Sequence, residues 1–200
     1  MEDLQRLYSE RGGEIRQRLQ DFRKFLAAGK DEIFPELAFC LCTPQSKAES
    51  CWAAVQELQS KGLLFGGTAK EIAKVLKKKV RFHNNKAKWI VQARGLELRL
   101  NGDQREDREW LVENVKGLGY KEASHFLRNV GRGDKLTILD RHVLKNLTHY
   151  KAIPEVPKSL TPRKYKEIEL AMEAFAGKLG VSVAELDLLF WSKEAGKVFK

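Results

Sequence analysis

Residues 115–143 read VKGLGYKEASHFLRNVGRGDKLTILDRHV and gather the residue types that could do chemistry. Gly117 and Gly119 lie in a short turn between two helical patterns, where the backbone can take unusual torsions and approach a ligand with no side chain in the way. Successive amides freed at a turn that opens a helix form an anion site, and for a basic chain a nucleic-acid phosphate is the fitting anion. Lys121 follows two residues later. Helical spacing puts it on a face with Ser124, His125 and Arg128, opposite Ala123, Phe126, Leu127 and Val130, so it is expected to point into a cleft or solvent. In a first turn the positive end of the helix dipole favours a neutral amine, which is a nucleophile. Asp140 stands where an N-cap would, and a carboxylate held there by amides can offset positive charge developing nearby.

The elements that must position these residues read almost entirely as helices. Over 14–27, Ile15, Leu19, Phe22 and Leu26 form one stripe closed by Gly29. Pro35 stands where a first helical residue would, and 37–42 is apolar on all sides, the mark of a short helix buried in a bundle. Ser46-x-x-Glu49 and Thr68-x-x-Glu71 read as capping boxes for helices over 47–61 and 69–79. Further helices are expected over 86–93 and 107–115, and Ala123, Phe126, Leu127 and Val130 mark another that follows the glycine turn and ends at Gly131. Asp140, with Leu139 and Leu144 as a hydrophobic staple, then opens another through Leu147. Thr161-Pro162 starts a long one with the stripe Tyr165, Ile168, Met172, Phe175 and Leu179, and Ser182-x-x-Glu185 caps the last. The alternating run LELRL at 96–100 is one lone strand pattern, which makes no sheet, so it is read as an extended connection. The fold class is all-α.

Composition narrows the function classes. The 200 residues carry 37 Lys+Arg against 27 Asp+Glu, a formal charge of +10, with 42% hydrophobic residues. That content excludes a wholly disordered chain, and the charge favours a polyanionic partner. No apolar run is long enough for a membrane span, and the N-terminal MEDLQRLYSERGG has no apolar core for a signal peptide, so an intracellular protein of the cytoplasm or nucleoid is expected. Cys40, Cys42 and Cys51 suit neither a disulfide framework nor a four-ligand zinc site and read as buried thiols.

With the hairpin Gly117-Leu118-Gly119, Lys121 two residues on, and Asp140-Arg141-His142-Val143 in register, the chain resembles the helix-hairpin-helix base-excision DNA glycosylases. Within them it is most similar to the compact type-2 8-oxoguanine glycosylases. It has no four-cysteine cluster near its end for an iron–sulfur centre, residues 1–30 read as helix where larger relatives carry a β-domain, and it closes on LDLLFWSKEAGKVFK. The resemblance implies Lys121 as nucleophile and Asp140 as stabiliser of positive charge on the sugar. It implies Trp191 stacking on the flipped base and Lys200 closing the pocket. It also implies Gln45, in Thr43-Pro44-Gln45-Ser46, filling the hole left by that base, Phe82 wedging beside the orphaned partner, and His142 contacting a phosphate. On the residues alone, Gln45 reads as a loop residue before a cap, Phe82 as a core anchor, Trp191 as packing and Lys200 as a frayed end.

By the same resemblance, the chain is expected to be an enzyme that excises 8-oxoguanine from duplex DNA through a lysine Schiff base and nicks the strand by β-elimination. It would act as a monomer, with no membrane partner, no catalytic metal and no redox cofactor, although a monovalent cation would fit among the hairpin carbonyls. The expected architecture is two helical lobes around a DNA-binding cleft, 30–132 with the helix-hairpin-helix at 107–131 in one, and 1–29 with 133–200 in the other. Two rival readings share the hairpin: an endonuclease III-like glycosylase for oxidised pyrimidines, and a non-catalytic helix-hairpin-helix module that needs neither Lys121 nor Asp140.

Overall fold

A computed structural model describes residues 1–200, and it is all-α, with eleven α-helices, one 3₁₀ turn and no strand. Residues 96–100 are an irregular connection. The chain divides into two compact units, Ala27–Phe126 and Met1–Leu26 with Leu127–Lys200. These boundaries fall earlier than the expected 29/30 and 132/133. The reason lies in the residues after Phe126. The Arg128 guanidinium sits 5.4 Å from the Phe22 ring centre and pairs with Asp187 at 2.6 Å, both side chains buried. A Cβ on Gly131 (φ 76°) would meet the Arg23 backbone at 2.8 Å.

The chain begins with α1 (Glu2–Arg23), a single helix that runs through Gly12 and Gly13 and ends in the 3₁₀ turn Lys24–Ala27. Ile15, Leu19 and Phe22 are buried as their spacing predicts, but Leu26 lies in that turn and is exposed. The Ala27–Phe126 unit comes next. In α2 (Lys30–Cys42) residues 37–42 are buried, as their all-apolar run predicts, and so are 33–36, Glu36 included. Pro35 is not its first residue. The helix starts a turn earlier, at Gly29, whose N–H donates to the Glu32 carboxylate at 2.8 Å. Around α2 pack α3 (Ala48–Ser60) and α6 (His83–Arg94), with the short α4 (Leu63–Gly66) and α5 (Ala69–Leu76) completing the bundle. Thr68 and Glu71 cap α5 reciprocally, as their spacing predicts.

α7 (Gln104–Asn114) starts three residues before the expected 107, because Asp103 accepts the Arg105 and Glu106 amides and Glu106 returns the bond to the Asp103 amide at 3.1 Å. α8 (Tyr120–Asn129) lies across the glycine turn. The remaining helices belong to the other unit: α9 (Arg141–His149), α10 (Pro162–Leu179) and α11 (Val183–Ala195). α11 meets α1, α9 and α10 and is buried almost all round. Thr161 and Ser182 cap α10 and α11 as predicted, and Gly180 ends α10 at φ 71°. Leu179 is only half-buried, while Tyr165, Ile168, Met172 and Phe175 form the buried stripe. The Tyr150, Phe175 and Phe190 rings stack at 5.9–6.3 Å between centres and fill this core. No helix is long and apolar enough to cross a membrane.

Candidate active site

Lys121 occupies the second position of α8, directly after the hairpin, and is half-buried. The turn is shaped by close approach. Gly117 has φ 96°, and a Cβ there would lie 2.4 Å from the Trp89 indole of α6, so no other residue fits. The Leu118 amide donates to the Val115 carbonyl at 3.1 Å. The Gly119 amide faces the Glu122 carboxylate at 3.3 Å, whose other oxygen is 3.6 Å from the Lys121 ammonium. Glu122 thus answers the anion site with the protein's own charge, a role that the pattern Gly119-x-x-Glu122 signals as a helix start. The two hairpin helices are braced by Arg108, buried on α7, whose guanidinium lies 5.1 Å from the Tyr120 ring centre and bonds Ser124 at 3.4 Å. Tyr120 also bonds Glu109. The face shared by Lys121, Ser124, His125 and Arg128 does not point into solvent. Beyond Lys121 it is buried, with His125 5.4 Å edge-on to Phe39 and Arg128 spent on Asp187.

Gln45 and Phe82 belong to the same unit as Lys121, and both are exposed, Phe82 at 52%. That overturns the core-anchor alternative for Phe82. Each has a left-handed backbone, φ 54° for Gln45 and 55° for Phe82, an arrangement that costs about 1–2 kcal/mol in a residue with a Cβ and persists only where neighbours enforce it. Against the Gln45 loop lies Lys86 of α6, 1% exposed, whose ammonium donates to the Cys42 carbonyl at 2.7 Å, the Pro44 carbonyl at 2.7 Å and the Ser46 hydroxyl at 3.0 Å. Ser46 Oγ also accepts the Arg81 amide at 3.0 Å. Ser46 is therefore not the cap of α3, whose N-cap is Lys47 with no side-chain bond; its hydroxyl is spent on the Lys86 and Arg81 contacts. Burial pushes the Lys86 ammonium below the ordinary lysine value. Sequence reasoning misses Lys86 as a functional residue, yet it shares a helix face with Ile90 and Ala93, and a lysine on an apolar stripe is a signal.

In the other unit, Asp140 caps α9 as expected. Its Oδ1 accepts both the His142 and Val143 amides at 2.8 Å. Leu139 and Leu144 are buried. The approach to Asp140 is held by α10: the Tyr165 hydroxyl donates to the Thr137 carbonyl at 2.7 Å and accepts the Leu139 amide at 3.3 Å. The Glu169 carboxylate accepts the Thr137 amide at 3.1 Å. His142 lies on α9 with Nδ1 3.7 Å from the Glu194 carboxylate, which also takes Lys145 at 3.3 Å. Trp191 stands off the buried stripe of α11, half-exposed, with the Phe199 ring centre 5.9 Å away. Gly196 (φ 77°) turns the tail, Val198 is buried, and Lys200 is half-buried, so the terminus is packed.

Beside Phe82, a groove of about 660 Å³ is lined by Lys70, Lys74, Lys77, His83 and Lys88, with no acidic side chain in its wall. Cys40, Cys42 and Cys51 are free and buried. Burial raises the Cys51 thiol from 9.0 to about 11 and Cys42 further still.

Known proteins resemble this chain in sequence and in fold. A family model described as 8-oxoguanine DNA glycosylase matches residues 15–181. The chain is 41% identical to a Fusobacterium nucleatum protein named 8-oxoguanine DNA glycosylase/AP lyase, across 99% of this chain and 96% of that protein. It is 38% identical to a Methanocaldococcus jannaschii protein of the same name, over 93% and 91%. The crystal structure of the Thermotoga maritima 8-oxoguanine DNA glycosylase superposes with a TM-score of 0.91 at 36% identity, covering 100% of this chain and 97% of that one. So does the Methanocaldococcus jannaschii glycosylase/lyase in complex with 15mer DNA containing 8-oxoguanine, at 0.91 and 34% identity, over 100% of both chains. With a glycine hairpin presenting Lys121, a capping Asp140 and likeness over the whole length, the chain belongs to the 8-oxoguanine DNA glycosylase family.

Proposed function

We propose that this chain excises 8-oxoguanine from duplex DNA and nicks the strand at the resulting site, with Lys121 as nucleophile. The observation that carries this reading is the placement of Lys121 in the first turn after a glycine hairpin, in a chain alike over its full length to proteins named glycosylase/AP lyase.

The hairpin amides and the lysine groove hold the DNA backbone, and the oxidised base rotates out of the stack at a cost of a few kcal/mol. Gln45 fills the gap and Phe82 wedges beside the orphaned partner. Trp191 stacks on the extruded base, and Lys200 closes over it. Lys121, as the free amine, attacks C1′. The glycosidic bond breaks, and the base leaves with its electron pair and takes up a proton. The Asp140 carboxylate offsets the positive charge that builds on the sugar. Ring opening gives an imine between Nζ and C1′, which acidifies the C2′ hydrogen. Loss of that proton expels the 3′ phosphate and breaks the strand. His142 contacts a phosphate, for which it exchanges Glu194. A monovalent cation taken up by the carbonyls of the hairpin would add positive charge facing a phosphate, and no step is routed through it. One copy of the chain carries every residue named, in keeping with action as a monomer.

Single-turnover excision from duplexes carrying 8-oxoguanine opposite cytosine, thymine glycol opposite adenine, or no lesion tests this. Release confined to 8-oxoguanine is expected. Release from thymine glycol alone would move the chain to oxidised pyrimidines, and binding without release from any duplex would leave a DNA-binding module.

A further inference from the structure

We infer that Lys86 positions both insertion residues, Gln45 and Phe82, through one buried hub, so that opening of the duplex at the lesion depends on a side chain enclosed in the protein. The inference rests on the insertion roles proposed for Gln45 and Phe82. An ammonium has three N–H donors, and Lys86 directs all three into the Gln45 loop: to Cys42, to Pro44 and to Ser46. Pro44 and Ser46 are the two neighbours of Gln45, so its left-handed backbone is clamped on both sides.

The Phe82 loop is tied to the same residue. The Lys86 amide donates to the Phe82 carbonyl at 3.1 Å, and the Ser46 hydroxyl that receives the ammonium also receives the amide of Arg81. The bond to the Phe82 carbonyl is made by the main chain, so the side chain reaches the Phe82 loop through Ser46 alone, whose hydroxyl joins the two strained residues, far apart in sequence, to one buried ammonium. The electrostatics explain why the hub is a lysine. Cys42 is the last residue of α2, where unpaired carbonyls and the negative end of the helix dipole favour a cation. A serine or asparagine could not reach three acceptors, and the planar fork of an arginine does not match their convergent arrangement. If the lysine served stability alone, its removal would slow every reaction of the enzyme alike. A positioning hub instead matters only where a stack must be opened and held open.

The test is single-turnover excision of 8-oxoguanine from a duplex opposite cytosine and from a single strand, where no partner has to be displaced, with 2-aminopurine fluorescence beside the lesion reporting unstacking. Lys86→Met and Ser46→Ala are compared with wild type, and Gln45→Ala and Phe82→Ala calibrate the insertion roles. The inference expects both hub variants to slow duplex excision about tenfold or more and to blunt the unstacking signal, while single-strand excision changes less than about threefold. Equal slowing on both substrates overturns it. So does a wild-type duplex rate in the hub variants while Gln45→Ala and Phe82→Ala are slow. Wild-type duplex rates in Gln45→Ala and Phe82→Ala would instead overturn the insertion roles beneath it. Ser46→Ala removes one hydroxyl and keeps the lysine, so it gives the answer even if Lys86→Met does not fold.

Discussion

At the scale of single residues, the chemistry rests on how a few side chains share the hairpin. Glu122 binds the Gly119 amide and lies beside the Lys121 ammonium, so an arriving phosphate competes with an internal carboxylate for that amide. Gly117 is held to its identity twice over, by its φ of 96° and by Trp89. Gly117→Ala is therefore expected to cost about 2 kcal/mol or more in chemical denaturation and to weaken duplex binding, since strain and steric conflict act on the same turn. The positions of Lys121 after the glycine turn and of Asp140 as a helix cap were legible in the sequence because each belongs to a short local motif. Glu122 was legible in principle, three residues past a glycine turn. The hub formed by Lys86 and Ser46 was not, because their partners lie some forty positions away and nothing local to either residue announces it.

At the scale of elements, the caps that held were those whose donors and acceptors are all local: Thr68, Asp140, Thr161 and Ser182. The failures have tertiary causes. Ser46 lost its capping role to Lys86 and Arg81, and of the α8 face expected in a cleft or solvent only Lys121 is part-exposed, the rest being covered with Arg128 paired to Asp187. Asp140 depends on α10 rather than on its own helix alone. Tyr165→Phe would leave the buried Thr137 carbonyl and Leu139 amide without the hydroxyl, costing about 1–3 kcal/mol of stability. With Asp140 proposed to act on charge that develops during reaction, the single-turnover excision rate should fall while affinity for an abasic duplex stays near wild type.

At the scale of the whole molecule, the +10 charge and the all-α class were readable from composition and periodicity. The packing of the last turn of α8 on Phe22 was not, because it is a long-range contact. The buried thiols carry a pH signature. Cys51 ionises near 9.0 when unfolded and at about 11 when folded, so the folded state is disfavoured once the unfolded thiol can ionise. Stability is expected to be intact below pH 9 and to decline as the pH rises from 9 through 11, with Cys42 adding in the same direction. Thiol titration at pH 8 should find no reactive cysteine in the native protein and three after unfolding. The central claim, that Lys121 is the nucleophile of an 8-oxoguanine glycosylase/lyase, is tested most directly by borohydride trapping on a duplex with 8-oxoguanine opposite cytosine. A covalent protein–DNA adduct is predicted for wild type and none for Lys121→Gln with duplex binding retained, whereas an adduct of equal yield in both, or in neither, would contradict it.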